Sequence, residues 1–515
     1  MILTRHFVDI GQRRVHYRKA GQGPTLLMVH QSPRSSAEYE PLMARWGEHF
    51  TCIAPDTPGF GQSDPLPGSP DIGDFAEALV EFMDAIGLDT TAAYGFHSGG
   101  IILVSTLKRH PERFTALATG GYAVWTPEEM AIFDKDYLPP FQPSAYGEHL
   151  SWLWNRILEQ TWFFPWFDVR HQARIPSAHD DPVRTDAVVR DMLDSGDAYR
   201  AGYGAVLRAP RDLPPPDAEG PPVLIAAYDG DPLQAHLARL GELPKNWQAE
   251  AVRTPADLED RCLAHLLGQT NAPYPGLRES DRGGFVQVSV AGFTGLIHWK
   301  GNRTAERILI HAPGGSAELH DGGDLPAFDL PGHGLSDSWE AGFTPSLADW
   351  TAVAAAAAAA ISQASRPLIV GEGPSAILAA AIAADGGGSW GAIAAHIPLA
   401  QDSARWAEKG LPDNSPDRFG SYLNAAWSCA RARHFFWPWF DAKAANAIPF
   451  SPEDVGPEAL ALEHRSLIRA RSGRQLLSTL LGADRDRIAA RAGTPALWET
   501  ADWAAGRTDI WKPAN

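Results

Sequence analysis

YGFHSGGII, residues 94–102, joins a short apolar run to a run of small residues that suits the start of a helix. At a sharp turn from strand to helix the flanking residues must be small, because larger side chains would collide with the neighbouring strand and helix. His97 stands midway between Gly95 and Gly99, whereas Ser98 in the same role would have a phenylalanine on one side. The spacing favours His97 at the apex of the turn, with Ser98 as the alternative.

The chain around this turn alternates between apolar runs of strand length and segments with helical spacing. The opening segment 6–21 is predicted to form an antiparallel hairpin at the edge of the sheet. Alternating strands and helices predict the α/β class, with a mostly parallel sheet flanked by helices. The other predicted strands of the first half are 25–31, 51–56, 91–96, 114–120 and 222–228.

Three segments of the chain occur twice, in the same order and at nearly the same offset, which predicts a duplication rather than a solenoid of short repeats. The pairs are DTPGFGQSD (56–64) with DLPGHGLSD (329–337), TWFFPWFD (161–168) with HFFWPWFD (434–441), and, more loosely, YGFHSGGIIL (94–103) with VGEGPSAILA (370–379). A stretch rich in proline, glycine and charge at 271–284 is the predicted linker. We therefore expect one α/β domain over 1–272 and a second over 284–515, the second shorter by its final strand and helix.

The composition narrows the class of partner. The formal net charge of the 515 residues is −18, which argues against nucleic acid or an anionic membrane. The longest apolar run, 352–361, is too short to span a bilayer, and the N-terminus does not have the pattern of a signal peptide. We expect a cytoplasmic protein that acts on a small molecule; the sequence does not indicate an oligomeric state.

The residues that bind metals and cofactors in other proteins do not form a pattern here. Metal-ligand spacing, a P-loop and a dinucleotide fingerprint are all missing from the sequence, so neither a metal nor another cofactor is expected. The three cysteines are far apart, and each is expected to lie buried as a small apolar residue: Cys52, Cys262 and Cys429.

The order of motifs in the first half resembles the α/β-hydrolase fold superfamily, and the second half resembles it more weakly. The motifs are VHQSPRSS (29–36), DTPGFGQSD (56–64), GFHSGG (95–100) and AAYDGDPL (226–233). The resemblance implies a nucleophile at the apex of the turn, an acid at Asp231 (or Asp229 in the same loop), and a helical cap at about 123–215. It implies no particular reaction, because one fold hosts many.

The two interpretations of the turn imply different chemistry. A Ser98 nucleophile needs a histidine base after the next strand, but the loop in AVRTPADLEDRCLAHLL (251–267) has none, and His265 lies well beyond it. An imidazole of His97 at the apex could act as a general base in a hydrolase, lyase or other cofactor-free reaction. The alternative is a purely structural role, in which one of the two residues only caps the helix that follows.

Other candidate residues lie in the loop after the first buried strand. The resemblance places His30 at the pocket, although a bond to nearby backbone is an equally good interpretation, and it assigns the backbone amides of Gln31 and Ser32 to an oxyanion hole. Arg34 either binds a substrate carboxylate or lies solvated on the surface. The aromatic block at 152–168 is either an apolar lid over the site or packing within the cap.

The expected function is therefore that of a hydrolase-fold enzyme with one active site, in the first half. Its catalytic candidates are His97, Ser98 and Asp231, and its substrate is a small, apolar or aromatic molecule, in ester or C–C hydrolysis or lyase-type chemistry. The alternative is a non-catalytic binding or regulatory protein of the same fold. The second half has Gly373 at the apex and no acid–base pair in its sequence, and it is expected to be non-catalytic.

Overall fold

The computed structural model describes residues 2–176, 178–209, 211–267, 273–276, 279–320, 325–386, 389–393, 396–398, 400–495 and 508–509. The chain divides into two compact units, one of Met1–Gln142 with Trp152–Ser280 and one of Pro143–Ser151 with Asp281–Asn515. The division after Ser280 lies within the expected linker, of which residues 271–272 and 277–278 are outside the described residues. The expected domain bounds, 1–272 and 284–515, stay a prediction.

The first unit contains an eight-stranded sheet in the order β1-β2-β4-β3-β5-β6-β7-β8. The first two pairs in this order, β1 with β2 and β2 with β4, are antiparallel, and all the later pairs are parallel. This arrangement confirms the expected edge hairpin and the expected α/β class. The strands are β1 (Leu3–Ile10), β2 (Arg13–Ala20), β3 (Thr25–Val29), β4 (Thr51–Pro55), β5 (Thr91–Phe96), β6 (Phe114–Gly120), β7 (Val223–Tyr228) and β8 (Trp247–Val252).

Helices cover both faces of this sheet, and four of them form an insertion between β6 and β7 that corresponds to the expected cap. Side chains of β3 alternate between the faces, as a strand requires: Leu27 and Val29 pack with α2 and α3, whereas Leu26 and Met28 pack with α1 and α8. The helices are α1 (Glu40–Trp46), α2 (Ile72–Ala85), α3 (Ser98–Arg109), the inserted α4 (Pro127–Ile132), α5 (Glu148–Gln160), α6 (Pro182–Ser195) and α7 (Tyr199–Leu207), and α8 (Pro255–Leu267).

The second unit has a six-stranded sheet in the order β9-β10-β12-β11-β13-β14. The pairs β9 with β10 and β10 with β12 are antiparallel, and the later pairs are parallel. The order and direction of these six strands match those of the first six strands in the sheet of the first unit. Among the described residues, counterparts of β7 and β8 are absent. The apolar segment PALWET (495–500), which the sequence predicts as a further strand of this unit, lies outside the described residues from 496 onward, so the expectation that the second sheet is shorter by its final strand stays a prediction.

The elements of the second unit follow the chain in a similar alternation. The alanine-rich segment forms α9, as expected from the helix propensity of alanine, and Ser346 and Asp349 cap its start reciprocally. The elements are β9 (Gly283–Val290), β10 (Phe293–Lys300), β11 (Arg307–Ile310), β12 (Ala327–Phe328), α9 (Leu347–Ile361), β13 (Leu368–Glu372), α10 (Ala376–Ala384), β14 (Trp390–Ile393), β15 (Ile397–Pro398), α11 (Ser403–Lys409), α12 (Ser421–Arg433), α13 (Pro457–Arg469), α14 (Gly473–Leu481), α15 (Arg485–Ala492) and β16 (Thr508–Asp509).

The cysteines and the apolar helices bear on two further expectations. All three cysteines are buried and unpaired, which confirms their expected role as small apolar residues. Among the described helices, none combines the length and the apolarity that crossing a membrane requires.

Candidate active site

The turn between β5 and α3 places His97 at its apex. Its φ is +47°, and no other described residue apart from glycines has a positive φ. A side chain at Gly99 would overlap the carbonyl oxygen of Val29, and one at Gly95 would come within 2.6 Å of the backbone of Gly99. The glycines are therefore required by close backbone approach, and the structure has the register in which they flank His97.

The imidazole of His97 is paired with the carboxylate of Asp231. Nε2 lies 3.1 Å from Oδ1 and 3.0 Å from Oδ2, and the ring of Phe96 stacks on the imidazole with centroids 4.0 Å apart. Asp231 is buried, with 4% of its surface exposed, and also accepts a hydrogen bond from the amide of Leu233 at 2.8 Å. Asp229, the alternative acid, is exposed and bonds Gln234 instead.

The pairing with His97 determines the ionisation of Asp231. Burial alone would raise the pKa of Asp231, but the charge and hydrogen bond of His97, with the amide of Leu233, lower it below its usual value. The carboxylate is therefore ionised near neutral pH and accepts the proton on Nε2. That tautomer leaves the lone pair of His97 on Nδ1, which has no partner among the described residues.

His97 lies against a cavity of about 320 Å³ beneath the cap, within the size range of sites for small molecules. The side chain is one-quarter exposed there. Most of the lining is apolar or aromatic. It comes from the turn between β5 and α3 (the elbow), from the start of α3, from the cap and from the loop after β7. The lining residues are Gln31, Ser32, Phe96, His97, Ser98, Ile101, Ala123, Trp125, Tyr137, Gln160, Thr161, Phe164, Ile175, His179, Arg184, Tyr203, Val206, Leu207, Tyr228, Pro232 and Leu233.

Ser98 lines the cavity, but its hydroxyl is not arranged as that of a serine nucleophile. The oxygen accepts the amide proton of Ser32 at 2.6 Å and donates to the Ser32 hydroxyl at 3.2 Å. Among the described residues no histidine reaches it; His265, half-buried on α8, lies 3.4 Å from the carbonyl of Pro222. The serine triad that was the alternative interpretation is not assembled in this structure.

The expected oxyanion-hole amides of Gln31 and Ser32 are both already bonded. The amide of Gln31 donates to Oε1 of Glu38 at 2.7 Å, and its side-chain amide donates to Oε2 at 3.0 Å. The amide of Ser32 is bonded to Ser98, as described above. Both residues line the cavity, but a carboxylate and a hydroxyl of the protein occupy the two donors, so their assignment to an oxyanion hole stays a prediction. The amide of Ser98 at the N-terminus of α3 has no acceptor among the described residues, as expected for the first turn of a helix.

His30 and Arg34 are not among the residues that line the cavity, and their contacts agree with the structural alternatives left open for both. His30 is buried, accepts the amide proton of Thr57 on Nε2 at 2.9 Å and donates from Nδ1 to the carbonyl of Gln31 at 2.8 Å. It therefore fixes the loop that carries Gln31. Arg34 forms an ion pair with Asp191 of α6 at 2.8 Å, which ties the same loop to the cap.

The cap contributes site residues that the sequence did not single out. Arg184, on the first turn of α6, is the one lysine or arginine among the lining residues, and it has no acidic partner among the described residues. Tyr137 and Tyr203 line the cavity with their hydroxyls 3.1 Å apart. No spacing in the sequence indicates these residues, because separate helices bring them together. The described residues contain no group of three or more His, Cys, Asp or Glu placed to hold a metal ion.

Both interpretations of the aromatic block apply, to different residues. Phe164 lines the cavity, whereas Phe163 is buried. Trp166 and Phe167 pack against a small apolar cluster of the cap that includes Phe133, Tyr137 and Leu207. The aromatic residues of the block are therefore mostly packing, with one aromatic side chain available to a ligand beside Gln160 and Thr161.

The second unit has glycine at the apex, as expected, and His311 is placed like His30: fully buried and bonded to the amide of Leu330 and the carbonyl of Ala312. The structure also brings His434 of α12 within 2.7 Å of Glu463 of α13, a contact that the sequence did not indicate. The expectation that this unit is non-catalytic stays a prediction.

Comparison with known proteins gives partial matches. Residues 24–149 match the family model described as alpha/beta hydrolase fold. Haloalkane dehalogenase 2 of Mycobacterium bovis is 30% identical over 125 residues, which are 24% of this chain and 44% of that protein. The 2-(acetamidomethylene)succinate hydrolase of Mesorhizobium japonicum is 30% identical over 115 residues, 22% of this chain and 41% of that protein. The chain thus spans less than half the length of these two relatives.

A solved structure of E-2-(acetamidomethylene)succinate hydrolase is 20% identical, with a TM-score of 0.38, and covers 51% of this chain and 99% of its own. The family model covers the segment from β3 into the cap, which includes the turn at His97. The strands of this segment belong to the mostly parallel sheet of the first unit. The first unit of this protein therefore has the α/β-hydrolase fold.

Proposed function

We propose that the first unit hydrolyses a small, largely apolar or aromatic organic molecule, with His97 as the general base and Asp231 as the group that orients it. The observation that carries this proposal is the His97–Asp231 pair at the apex of the elbow, open to a cavity of about 320 Å³. A buried carboxylate that fixes the tautomer of an imidazole is a recurrent way to prepare a base for proton transfer near neutral pH.

The mechanism follows from the two edges of the ring. Nδ1 of His97 takes a proton from a water molecule while the water oxygen attacks the electrophilic carbon of the substrate. Nε2–H stays bonded to Asp231, whose charge stabilises the imidazolium that forms. The imidazolium then returns the proton to the leaving group. The free amide of Ser98 at the start of α3 can stabilise negative charge that develops on the substrate oxygen, and no covalent intermediate on Ser98 is needed.

The substrate class follows from the lining. Phe96, Trp125, Phe164 and Leu207 present apolar surface, and Arg184 supplies a single positive charge. The relatives named above act on haloalkanes and on an acetamidomethylene succinate, so carbon–halogen, amide and ester substrates are the classes to test first. Lyase-type proton abstraction by the same base is compatible with this geometry.

A second candidate function is binding without turnover. It is favoured by the amides of Gln31 and Ser32, which have acceptors within the protein and would have to exchange them to stabilise a substrate oxyanion. A binding protein would use the same cavity, and its affinity would not depend on the protonation of His97.

The test compares the full chain with three variants, His97→Ala, Ser98→Ala and Asp229→Asn, on a haloalkane, an acetamidomethylene succinate and a series of 4-nitrophenyl esters. We expect turnover of at least one class, its loss in His97→Ala, and its retention in the exposed control Asp229→Asn. A serine-directed fluorophosphonate should not label the protein. Stoichiometric labelling that disappears only in Ser98→Ala would show a serine hydrolase instead, and ligand binding without turnover would favour the second candidate.

A further inference from the structure

The second unit has a cavity of its own, of about 470 Å³, beside the glycine that occupies its elbow. Gly373 has φ +52°, and a side chain there would meet only the methyl group of Ala312, at 3.6 Å. The space that His97 takes up in the first unit is therefore open in the second. The volume falls within the range of small-molecule sites.

Two carboxylates in the wall of this cavity have partners within the protein. Glu372 accepts the amide proton of Ala312 at 3.0 Å and lies 3.4 Å from Nε2 of His320. Burial would raise the pKa of Glu372, but the neighbouring His320 outweighs it and lowers the pKa to about 2. Glu463 lies 2.7 Å from Nε2 of His434. Neither carboxylate needs a cationic ligand to be stabilised.

Arg433, at the end of α12, is the wall residue without such a partner. It is half-buried and forms no hydrogen bond or ion pair with any described residue. It lies close enough to His396 that, after the larger effect of burial, its charge contributes to lowering the pKa of that histidine. A partly desolvated guanidinium offers a planar fork that matches a carboxylate in two parallel hydrogen bonds.

Flat aromatic surfaces stand next to this charge. The rings of Trp406 and Trp437 both line the cavity, with centroids 4.5 Å apart and planes tilted by 42°. The ring of His396 packs edge-on against Trp437 at 4.9 Å. Leu411 and Leu477 complete an apolar wall. Such surroundings suit a flat aromatic ring better than a fully hydrated anion.

Alignment of the repeated aromatic block shows that a wall position of the second cavity carries a charge that the matching position of the first cavity lacks. HFFWPWFD aligns with TWFFPWFD, so that Arg433 matches Gln160 and Trp437 matches Phe164. All four residues line the cavity of their own unit. The same backbone positions therefore present a neutral amide in the first unit and a cation in the second.

From the cavity, its uncompensated guanidinium and its paired indole rings, we infer that the second unit binds a small aromatic carboxylate. The carboxylate bonds Arg433, and the ring contacts Trp406 and Trp437. This site is separate from the proposed active site and does not depend on it.

The experiment is isothermal titration of the full chain with 2-naphthoate, with its neutral analogue 2-naphthamide and with inorganic phosphate. We expect 2-naphthoate to bind at least about tenfold more tightly than either of the others, a factor that one charge-assisted pair supplies. Equal binding of the amide would show that the charge is not recognised, and equal binding of phosphate would show that the ring is not. Either result, or no binding of 2-naphthoate, overturns the inference.

Variants locate the site. Arg433→Gln should weaken 2-naphthoate binding at least about tenfold, and Arg433→Lys, which keeps the charge but loses the fork, should weaken it less. Arg487→Gln removes an exposed arginine of α15 outside the cavity and should bind as the unaltered chain does. Circular dichroism and melting check the fold of each variant. Loss of binding in Arg184→Gln, with binding intact in Arg433→Gln, would place the carboxylate in the first cavity and refute the assignment.

Discussion

His97 occupies a backbone conformation that residues with a side chain adopt at a cost of about 1–3 kcal/mol. The corresponding residue of the second unit is Gly373, with nearly the same φ and no such cost. The two residues thus share a positive φ, and only the first carries an imidazole. Because strain persists where the surroundings fix it, the conformation of His97 supports a role in chemistry rather than in stability.

The tautomer of His97 gives the first prediction. In Asp231→Asn an amide would replace the carboxylate, and its NH₂ can donate to Nε2, which moves the ring proton to Nδ1 and removes the base. We expect kcat on the substrate class that the full chain turns over to fall by about 10⁴-fold, the effect known for this change in serine proteases. Asp229→Asn, in the same loop but exposed, is the control and should change kcat by less than about twofold. A loss in both variants would mean that the loop, not the tautomer, is what was altered.

Ser98 gives a second prediction, which concerns stability more than turnover. Its hydroxyl accepts the buried amide of Ser32, so Ser98→Ala leaves that donor without a partner, at a cost of about 1–3 kcal/mol. Urea unfolding should show this loss, while kcat falls far less than in His97→Ala. Ser289→Ala, which removes an exposed hydroxyl of β9, should cost less than about 0.5 kcal/mol. Complete loss of turnover with unchanged stability would return Ser98 to the role of nucleophile.

At the scale of elements, the junction between β5 and α3 depends on close backbone contact. A methyl group at Gly99 would overlap the carbonyl of Val29, so Gly99→Ala must displace α3 from β3. We expect a loss of about 3 kcal/mol or more in the free energy of unfolding, or an insoluble product. Gly220→Ala is the matched control, because its methyl group would lie 3.9 Å from Pro111. A Gly99→Ala protein of unchanged stability would contradict the packing described for the elbow.

The contact between α12 and α13 gives a prediction about pH. The hydrogen bond to Glu463 is the largest effect on His434 and raises its pKa above the usual value. A raised pKa in the folded state means that the pair stabilises the protein fully below the unfolded value of about 6.5 and that this contribution disappears as pH rises through the folded value. A double-mutant cycle of His434→Gln and Glu463→Gln should give about 1 kcal/mol at about pH 5.5 and almost nothing at about pH 9.

An ion pair without a histidine provides the control for that cycle. Arg113 and Asp84 lie 2.7 Å apart in the first unit. Their coupling energy should therefore be the same at both values. If it changed in parallel with that of His434 and Glu463, the pH effect would be general rather than a property of the histidine.

The elements also show what the sequence could predict and what it could not. The register of the elbow followed from the positions of Gly95 and Gly99, because the need for small residues is a local geometric rule. The bond between the amide of Gln31 and the side chain of Glu38 could not be predicted, because no spacing in the sequence encodes that rotamer. Arg184 was missed for a similar reason: its place at the cavity depends on how α6 packs in the cap.

For the whole molecule, the repeat predicted two α/β units, and the matching strand orders agree with it through the sixth strand. What the repeat could not predict is the different character of the two cavities, since aligned wall positions such as Gln160 and Arg433 diverged in charge. The division of roles between an apolar catalytic cavity and a charged binding cavity stays a proposal.

One substitution made at equivalent places in both units tests this division. His30 and His311 are both buried and make matching bonds to the backbone, so His30→Ala and His311→Ala should each lower the melting temperature by several degrees. His30 holds the loop that brings Gln31 to the first cavity, so only His30→Ala should also lower kcat/KM, by about tenfold, on the substrate class that the full chain turns over. His311→Ala should leave kcat/KM within about twofold. Abolished turnover in a folded His311→Ala protein would mean that the second unit takes part in the reaction, and the assignment of one active site to the first unit would fail.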